Sequence, residues 1–263
     1  MRRLLVASVA AMLFLSSTAQ ASLIAGLQAY YRFNDDGNDS SGNFRNLELY
    51  GGVGFDSGLF GQALDLHANA SQYAQRSVDD SVFNFGTNDF TIQVWVNFNS
   101  VSGEQTLLEK FFGDAGPGWT LTKPGNGFQF FASGVPSLNT SSLSLTLGAW
   151  HHLIVRRDGS EFCMFFDGDS VSSGTSSNAI TSTTNPLLVG RRNSGDWREF
   201  PVNGKLDEIA IWTRALSDDE IAALYNGGQG ASLPIPEPQQ CTLLLFALVA
   251  GWQLLSRARR KRA

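Results

Sequence analysis

Two Asp-Gly pairs set in one apolar stretch constrain this chain more than any other feature. His152-Leu153-Ile154-Val155-Arg156 runs into Asp158-Gly159, and Glu161 to Phe166 then runs into Asp167-Gly168. A tight hairpin turn needs positive φ at its centre, which Asp tolerates and Gly adopts at no steric cost. The span therefore predicts consecutive antiparallel strands with no helix between them. The same texture recurs along the chain. Thr91-Ile92-Gln93-Val94-Trp95-Val96-Asn97-Phe98 alternates apolar and polar residues, the period of a half-buried strand. Leu27–Phe33, Phe128–Phe131, Leu187–Val189 and Lys205–Trp212 are further short strands, punctuated by Gly, Asn, Asp and Ser. The 27 glycines and 19 phenylalanines fit turns and an aromatic-filled core. The pattern predicts an all-β, antiparallel two-sheet jelly-roll sandwich. One short C-terminal α-helix is also predicted. Ser217-Asp218-Asp219-Glu220 is a capping box, Ile221, Leu224 and Tyr225 form an apolar stripe, and Asn226-Gly227-Gly228 supplies the stop.

The two ends read as signals. Met1-Arg2-Arg3, the apolar run Leu4–Leu15 and Ala19-Gln20-Ala21 make a secretory signal peptide, which signal peptidase would remove to leave Ser22 first. At the other end, Pro234-Ile235-Pro236-Glu237-Pro238 precedes an apolar stretch from Cys241 to Leu255, and Arg257, Arg259, Arg260, Lys261 and Arg262 close the chain. Physically this is a stop-transfer membrane helix with a basic cytoplasmic stop, which puts the main domain outside. The sequence divides accordingly into a signal peptide (1–21), a domain (22–228), a linker with the Pro-Glu-Pro motif (229–238) and an apolar membrane segment with a basic tail (239–263).

Two family resemblances follow from quoted residues. The C-terminal segment resembles the PEP-CTERM sorting signal, with Gln239-Gln240-Cys241 where Ser-Thr is more usual. That resemblance implies a Gram-negative bacterium whose exosortase cuts near the sorting motif Pro236, Glu237 and Pro238. The protein would be anchored transiently in the inner membrane and then passed to the cell surface or extracellular matrix. Such proteins often accompany exopolysaccharide and biofilm genes. The domain itself resembles the LamG-like jelly roll of the concanavalin A-like lectin/glucanase superfamily. The segments that carry this, in the family's order, are Leu27–Phe33 with Asp39-Ser40-Ser41-Gly42-Asn43, Gly61–Leu66, Asp89–Val96, Trp150–Val155 leading to Phe166-Asp167-Gly168, and Gly204–Trp212 leading to Ser217 and Glu220-Ile221. The resemblance implies two packed antiparallel sheets and, as a rule, binding rather than catalysis.

The chemistry-bearing residues fit that expectation. A retaining glycosidase needs two carboxyl groups about 5–5.5 Å apart. The Glu-x-Asp-x-x-Glu pattern of laminarinase-like members does not occur, and Asp207-Glu208, as neighbours on a strand, should point to opposite faces. Asp167 and Asp169 flank a turn glycine, and His151-His152 cannot both serve one site. The chain therefore reads as non-catalytic, with a glycan-active hydrolase as the remote alternative. Asn34, Asp35, Asp36, Asp39, Ser41 and Asn43 crowd one loop with hard oxygen donors, a composition shared by turns and calcium sites. By resemblance, the calcium (Ca2+) ligands expected are Asp39, Asn43 and Asp207, with Asn34 a fourth. A sugar ligand calls for exposed aromatic faces. Trp197, beside Asp196 in a polar loop, is the first candidate, and Trp119, beside Gly116-Pro117-Gly118, is the second. Trp95, Trp150 and Trp212 fall in strand patterns and should fill the core. Cys163 reads as a buried free thiol, because the only other cysteine is Cys241 in the tail.

Charge narrows the partner. Seven of the nineteen basic residues belong to the two ends, which leaves twelve against all twenty-four acidic residues, a balance of −12 for Ser22–Glu237. A domain so acidic is a poor partner for nucleic acid or an anionic membrane. The expected partner is an exopolysaccharide or surface glycan; a protein–protein adhesion or structural matrix module is the alternative.

Overall fold

A computed structural model describes residues 23–69, 71–113, 116–192 and 199–235. The signal peptide, the sorting motif Pro236-Glu237-Pro238 and the apolar tail lie outside the described residues. Among the described residues no helix is long and apolar enough to cross a membrane.

The chain forms strands β1 (Leu27–Tyr31), β2 (Glu48–Tyr50), β3 (Gly54–Ser57), β4 (Gln62–His67), β5 (Tyr73–Arg76), β6 (Phe90–Phe98), β7 (Gln105–Phe111) and β8 (Gly118–Lys123). They are followed by β9 (Gln129–Ala132), β10 (Leu138–Asn139), β11 (Trp150–Asp158), β12 (Glu161–Phe166), β13 (Asp169–Thr175), β14 (Leu187–Val189) and β15 (Asn203–Trp212), and by helix α1 (Asp218–Tyr225). An eight-stranded sheet runs β13-β12-β11-β6-β15-β4-β3, with β1 added on β15. A seven-stranded sheet runs β10-β9-β8-β7-β14-β5-β2. The strand pairs are antiparallel, and the predicted all-β sandwich with one short helix is what the chain builds.

The two Asp-Gly pairs make different turns. Asp167 and Gly168 lie between the paired Phe166 and Asp169 with φ of 50° and 86°, the type I′ geometry expected. In the first hairpin Asp158 pairs with Glu161, so Gly159 and Ser160 form the turn and only Gly159 has positive φ (57°), the pattern of a type II′ turn. One residue of slip was invisible in sequence because either turn type satisfies the same dipeptide.

The main core lies between the sheets. Ile92, Val94, Val96 and Phe98 of β6 point into it with Leu153 and Val155 of β11, Leu206, Ile209 and Ile211 of β15, and Leu108 and Leu121 of β7 and β8. A second cluster covers the outer face of the eight-stranded sheet: Tyr30, Ile154, Phe165 and Trp212 from strands, Leu216, Ile221 and Leu224 from α1 and its approach, and Leu23 and Leu233 from the two ends of the described chain. The capping box that starts α1 is formed in both directions. Trp212 Nε1 donates to the carbonyl of Leu23 (2.7 Å), and the Leu233 amide donates to Tyr30 Oη (3.2 Å). Residues 229–233, read as linker, are thus partly laid on the domain. Leu23 and Leu233 thus both pack on the outer face of the eight-stranded sheet.

Buried cations hold the loops. Arg157 donates to the carbonyls of Gly86, Gly159, Ser176 and Asn178 (2.8–3.2 Å). Lys123 Nζ donates to Val101, Gly103 and Gly125 (2.6–3.0 Å), and Lys110 Nζ to Asp79 Oδ1, Thr183 and Asn185 (2.7–2.8 Å). Each side chain spans the sandwich edge and supplies donors to carbonyls that no strand can reach. Replacing Arg157 by Met keeps the stem and leaves four carbonyls without that donor. Denaturant unfolding of this variant is expected to show a loss of about 3 kcal/mol. A loss below about 1 kcal/mol would mean that water replaces the guanidinium.

Candidate functional site

Directly opposed residues of antiparallel strands share a face. On the outer side of the seven-stranded sheet this rule gives two rows. One runs Phe131, Thr120, Glu109, Leu188, Gln75 and Glu48; the other holds Gln129, Thr122 and Thr106 at one end and Tyr73 and Tyr50 at the other. Thr106, Thr120 and Thr122 are 0, 2 and 0 % exposed, yet their Oγ1 atoms have no hydrogen-bond partner among the described residues. Buried hydroxyls without a partner are uncommon and costly, at about 1–3 kcal/mol each. Across this face lies Arg192, whose guanidinium is 3.2 Å from Glu104 Oε1 and 3.7 Å from Glu109 Oε2. Arg191 sits 4.1 Å over the Tyr73 ring, which stacks on Tyr50 at 4.6 Å. Hydroxyls, carboxylates, guanidinium groups and stacked rings on one rigid surface are the groups that hold a sugar. Sequence reading passed over β7 and β8. Their alternating Thr residues look like ordinary solvent-facing positions, and only burial distinguishes them.

The aromatic candidates separate. Trp197 and Asp196 lie outside the described residues. Trp119 corrects the sequence expectation: it is 1 % exposed, packs in the main core and donates from Nε1 to the Phe83 carbonyl (2.9 Å). The Gly116-Pro117-Gly118 lead reads as loop, but β8 begins at Gly118 and its alternation turns Trp119 inward. Trp95 and Trp212 are buried as expected, whereas Trp150 is only half-buried. Cys163 is also half-buried rather than buried, with Sγ 3.0 Å from Ser170 Oγ.

The residues expected to bind calcium each have hydrogen-bond partners within the fold. Asp39 accepts the amides of Tyr30, Ser41 and Arg45 (2.9–3.0 Å), and Asn43 donates its amide to the carbonyls of Leu27 and Gln28 (3.1 Å each). Asn34 Oδ1 accepts from Gln62, while Asp207 accepts from Leu59 (2.8 Å) and Glu208 (2.8 Å). Asn34 and Asp207 instead grip the β3–β4 turn, where a Cβ on Gly58 would fall 2.6 Å from Asp207 Oδ2 and one on Gly61 2.2 Å from Asn34 Oδ1. Among the described residues no three His, Cys, Asp or Glu side chains gather as a metal group.

Asp207 and Glu208 also break the alternation assumed for them. A bulge between Asp207 and Ala210, with Glu208 at φ 49°, frees both acids from the inner face. Glu208 accepts a hydrogen bond from Tyr30 Oη, and its backbone carbonyl accepts one from Gln93 Nε2 (3.0 Å). Gln93 Oε1 meets His152 Nε2 at 3.2 Å, and His152, Trp95 and Tyr225 stack on one another in a three-ring cluster. Burial pushes the Asp207 carboxyl up to about 7 and Glu208 up to about 8, and pushes His152 down to about 3. His151 is separate: Nδ1 meets Asp167 Oδ2 at 2.8 Å and Nε2 accepts the Thr146 amide (3.0 Å). Both of its nitrogens are engaged within the fold.

A laminin G family model, described as the concanavalin A-like lectin/glucanases superfamily, matches residues 69–222. No curated protein sequence matches this chain significantly. Among solved structures, the binding domain of Paraclostridial Mosquitocidal Protein 1 aligns with TM-score 0.63 and 20% identity, over 78% of this chain and 52% of that one. Domain 4 of AbnA, a GH43 extracellular arabinanase from Geobacillus stearothermophilus solved with arabinotriose, aligns with TM-score 0.60 and 19% identity, over 78% of this chain and 98% of that domain. The binding domain of botulinum neurotoxin serotype D aligns with TM-score 0.61 and 14% identity, over 80% and 52%. The chain spans about half the length of the toxin binding domains it matches.

Two outcomes follow. Thermal unfolding with calcium and with a chelator tests the calcium ligand set: a calcium-dependent rise is expected if Asp39, Asn43, Asp207 and Asn34 hold the ion, and an unchanged unfolding temperature would remove them. The buried carboxyls set the pH dependence. Glu208 keeps its proton in the folded state between its ordinary 4.5 and about 8, while the unfolded chain loses it. Its contribution is therefore full below 4.5 and falls as pH rises toward 8, by up to about 1.4 kcal/mol per unit. Asp207 acts the same way up to about 7, and neutral His152 opposes them, costing stability as pH falls below 6.5. Glu208→Gln should flatten the decline between pH 5 and 8 in urea midpoints. An unchanged slope would remove Glu208 as its source.

Proposed function

This chain belongs to the concanavalin A-like lectin/glucanase superfamily, and on that premise we propose that it is an exported, non-catalytic module that binds carbohydrate on the outer face of its seven-stranded sheet. The observation that carries the reading is the set of three buried threonine hydroxyls with no hydrogen-bond partner among the described residues, beside the Glu109–Arg192 ion pair. Sugar hydroxyls both donate and accept, so one saccharide unit can satisfy several such groups at once. The fold is shared with an arabinanase domain solved with arabinotriose, which supports a glycan as the ligand class.

Binding rather than hydrolysis is favoured by the acids themselves. Glu104 and Glu109 flank one guanidinium, an ion-pair arrangement instead of the open acid–base gap that glycoside cleavage requires. The ends of the domain support surface display. Leu23 and Leu233 both pack on the opposite face, so a C-terminal anchor or sorting tail would leave the proposed face pointing away from its attachment. With the sequence signals, this reading makes the protein an exosortase-sorted component of the cell surface or biofilm matrix of a Gram-negative bacterium.

Thr120→Val combined with Thr122→Val keeps the shape and removes two hydroxyls. In glycan-panel titrations it should weaken binding by at least about tenfold, the equivalent of about 1.4 kcal/mol, with thermal stability kept or raised. Trp197→Ala tests the loop tryptophan in the same assay, with weaker retention expected. Undiminished binding by the threonine double variant would move the site off this face.

A further inference from the structure

The edges of the two sheets are closed in different ways, and one is left open. An edge strand presents unpaired backbone donors and acceptors, which proteins shorten, cover or guard with charge. β2 and β10, at the edges of the seven-stranded sheet, have three and two residues. β3 has four, and Lys205 Nζ bonds both its Asp56 carboxylate (2.6 Å) and its Ser57 carbonyl (3.2 Å). β1 is covered by the loop that follows it: the Ser40 amide donates to the Tyr30 carbonyl (2.8 Å), and the Tyr30 amide donates to Asp39 (3.0 Å). β13 differs. It has seven residues, pairs only with β12, and makes no other backbone hydrogen bond among the described residues. A bulge at Val171 and the strand's one charge, Asp169, guard its start. Ser172-Ser173-Gly174-Thr175 is left regular, uncharged and open to solvent.

This edge borders a groove. On the outer face of the eight-stranded sheet, Arg156, Glu161, Cys163, Ser173 and Thr175 enclose about 310 Å³. Arg156 is committed to Asp218 Oδ1 (2.6 Å) and the Leu216 carbonyl (2.9 Å), and Arg157 on the same strand is engaged by four backbone carbonyls. Glu161 and Asp158 are exposed, stand directly opposite one another, and form no ion pair among the described residues. Like charges so placed repel. A strand added to β13 would lie about 4.8 Å beyond it. Thr175 is paired with Glu161. A side chain opposite Thr175 would therefore start two strand spacings, about 9.6 Å, from Glu161, within the joint reach of a Lys or Arg and a Glu side chain.

We infer that the free edge of β13 docks an extended peptide segment of a partner protein, with a Lys or Arg opposite Thr175 that meets Glu161 and Asp158. Main-chain hydrogen bonds supply the affinity, and the groove beside the edge supplies the specificity. A second copy of the chain is a poor occupant. Residues 167–178 contain no basic side chain, and two domains with a balance of −12 each repel. The edge belongs to the other sheet from the carbohydrate face, and neither reading depends on the other.

The test is titration of the full chain with a fluorescent nonapeptide of alternating Val and Lys. One control is the same peptide with every backbone amide methylated, and the other carries Glu in place of Lys. The Lys peptide is expected to bind at least about tenfold more tightly than either control, and to slow amide exchange at Ser172–Thr175. Glu161→Gln combined with Asp158→Asn, both at exposed positions, should weaken it severalfold with the unfolding temperature kept or raised. Equal binding of the methylated peptide would reduce the contact to bulk charge and overturn the docking edge, as would unchanged exchange at Ser172–Thr175. Equal binding of the Glu peptide overturns the basic partner. Sedimentation as a dimer that the Lys peptide dissociates gives the edge to a second copy, and overturns it too.

Discussion

The pairing of β6 with β15 is the constraint on which the rest of the structure depends. Both strands are buried on both faces, one side in the main core and the other beneath α1 and the chain ends. A strand in that position has no solvent to satisfy polar groups, so each must be bonded to another buried group. Gln93 answers this by bridging the Glu208 carbonyl and His152. The bulge at Glu208 answers it by letting two adjacent acids reach donors, Asp207 at the β3–β4 turn and Glu208 at Tyr30. The network is the polar counterpart of the apolar core and fixes the register of the central pair.

That arrangement gives the sandwich two unlike outer surfaces. The eight-stranded sheet is covered by α1 and by the segments through which the chain enters and leaves. The outer face of the seven-stranded sheet carries threonines, glutamates, arginines and stacked tyrosines in place of an apolar cover. The polar surface and the covered surface thereby lie on opposite sides of the sandwich. In the loops that join the sheets, Lys110, Lys123 and Arg157 collect backbone carbonyls with side-chain cations.

Much of the fold was legible in the chain. The Asp-Gly pairs, the alternation of β6 and the capping box of α1 are local signals, each requiring only neighbours in sequence to act. The site was legible only in part. Asp39, Asn43, Asn34 and Asp207 have the composition of calcium ligands, which turns share: here Asp39, Asn34 and Asp207 accept backbone amides and Asn43 donates to backbone carbonyls. Trp119 misleads for a related reason, since Gly-Pro-Gly marks a loop without saying on which residue the next strand begins.

What the sequence determined by itself was the class of the fold, the places of its hairpins and its helix. These depend on periodicity and on which residues tolerate a given φ. What only tertiary structure decided was which polar residues became ligands of the protein itself and which were left over. Thr106, Thr120 and Thr122 are ordinary strand threonines until a sheet places them side by side out of water, and Glu109 comes within reach of Arg192 only because β7 pairs with β14. Burial is a property of the assembled sheets, and no local pattern shows which strand threonines end up out of water.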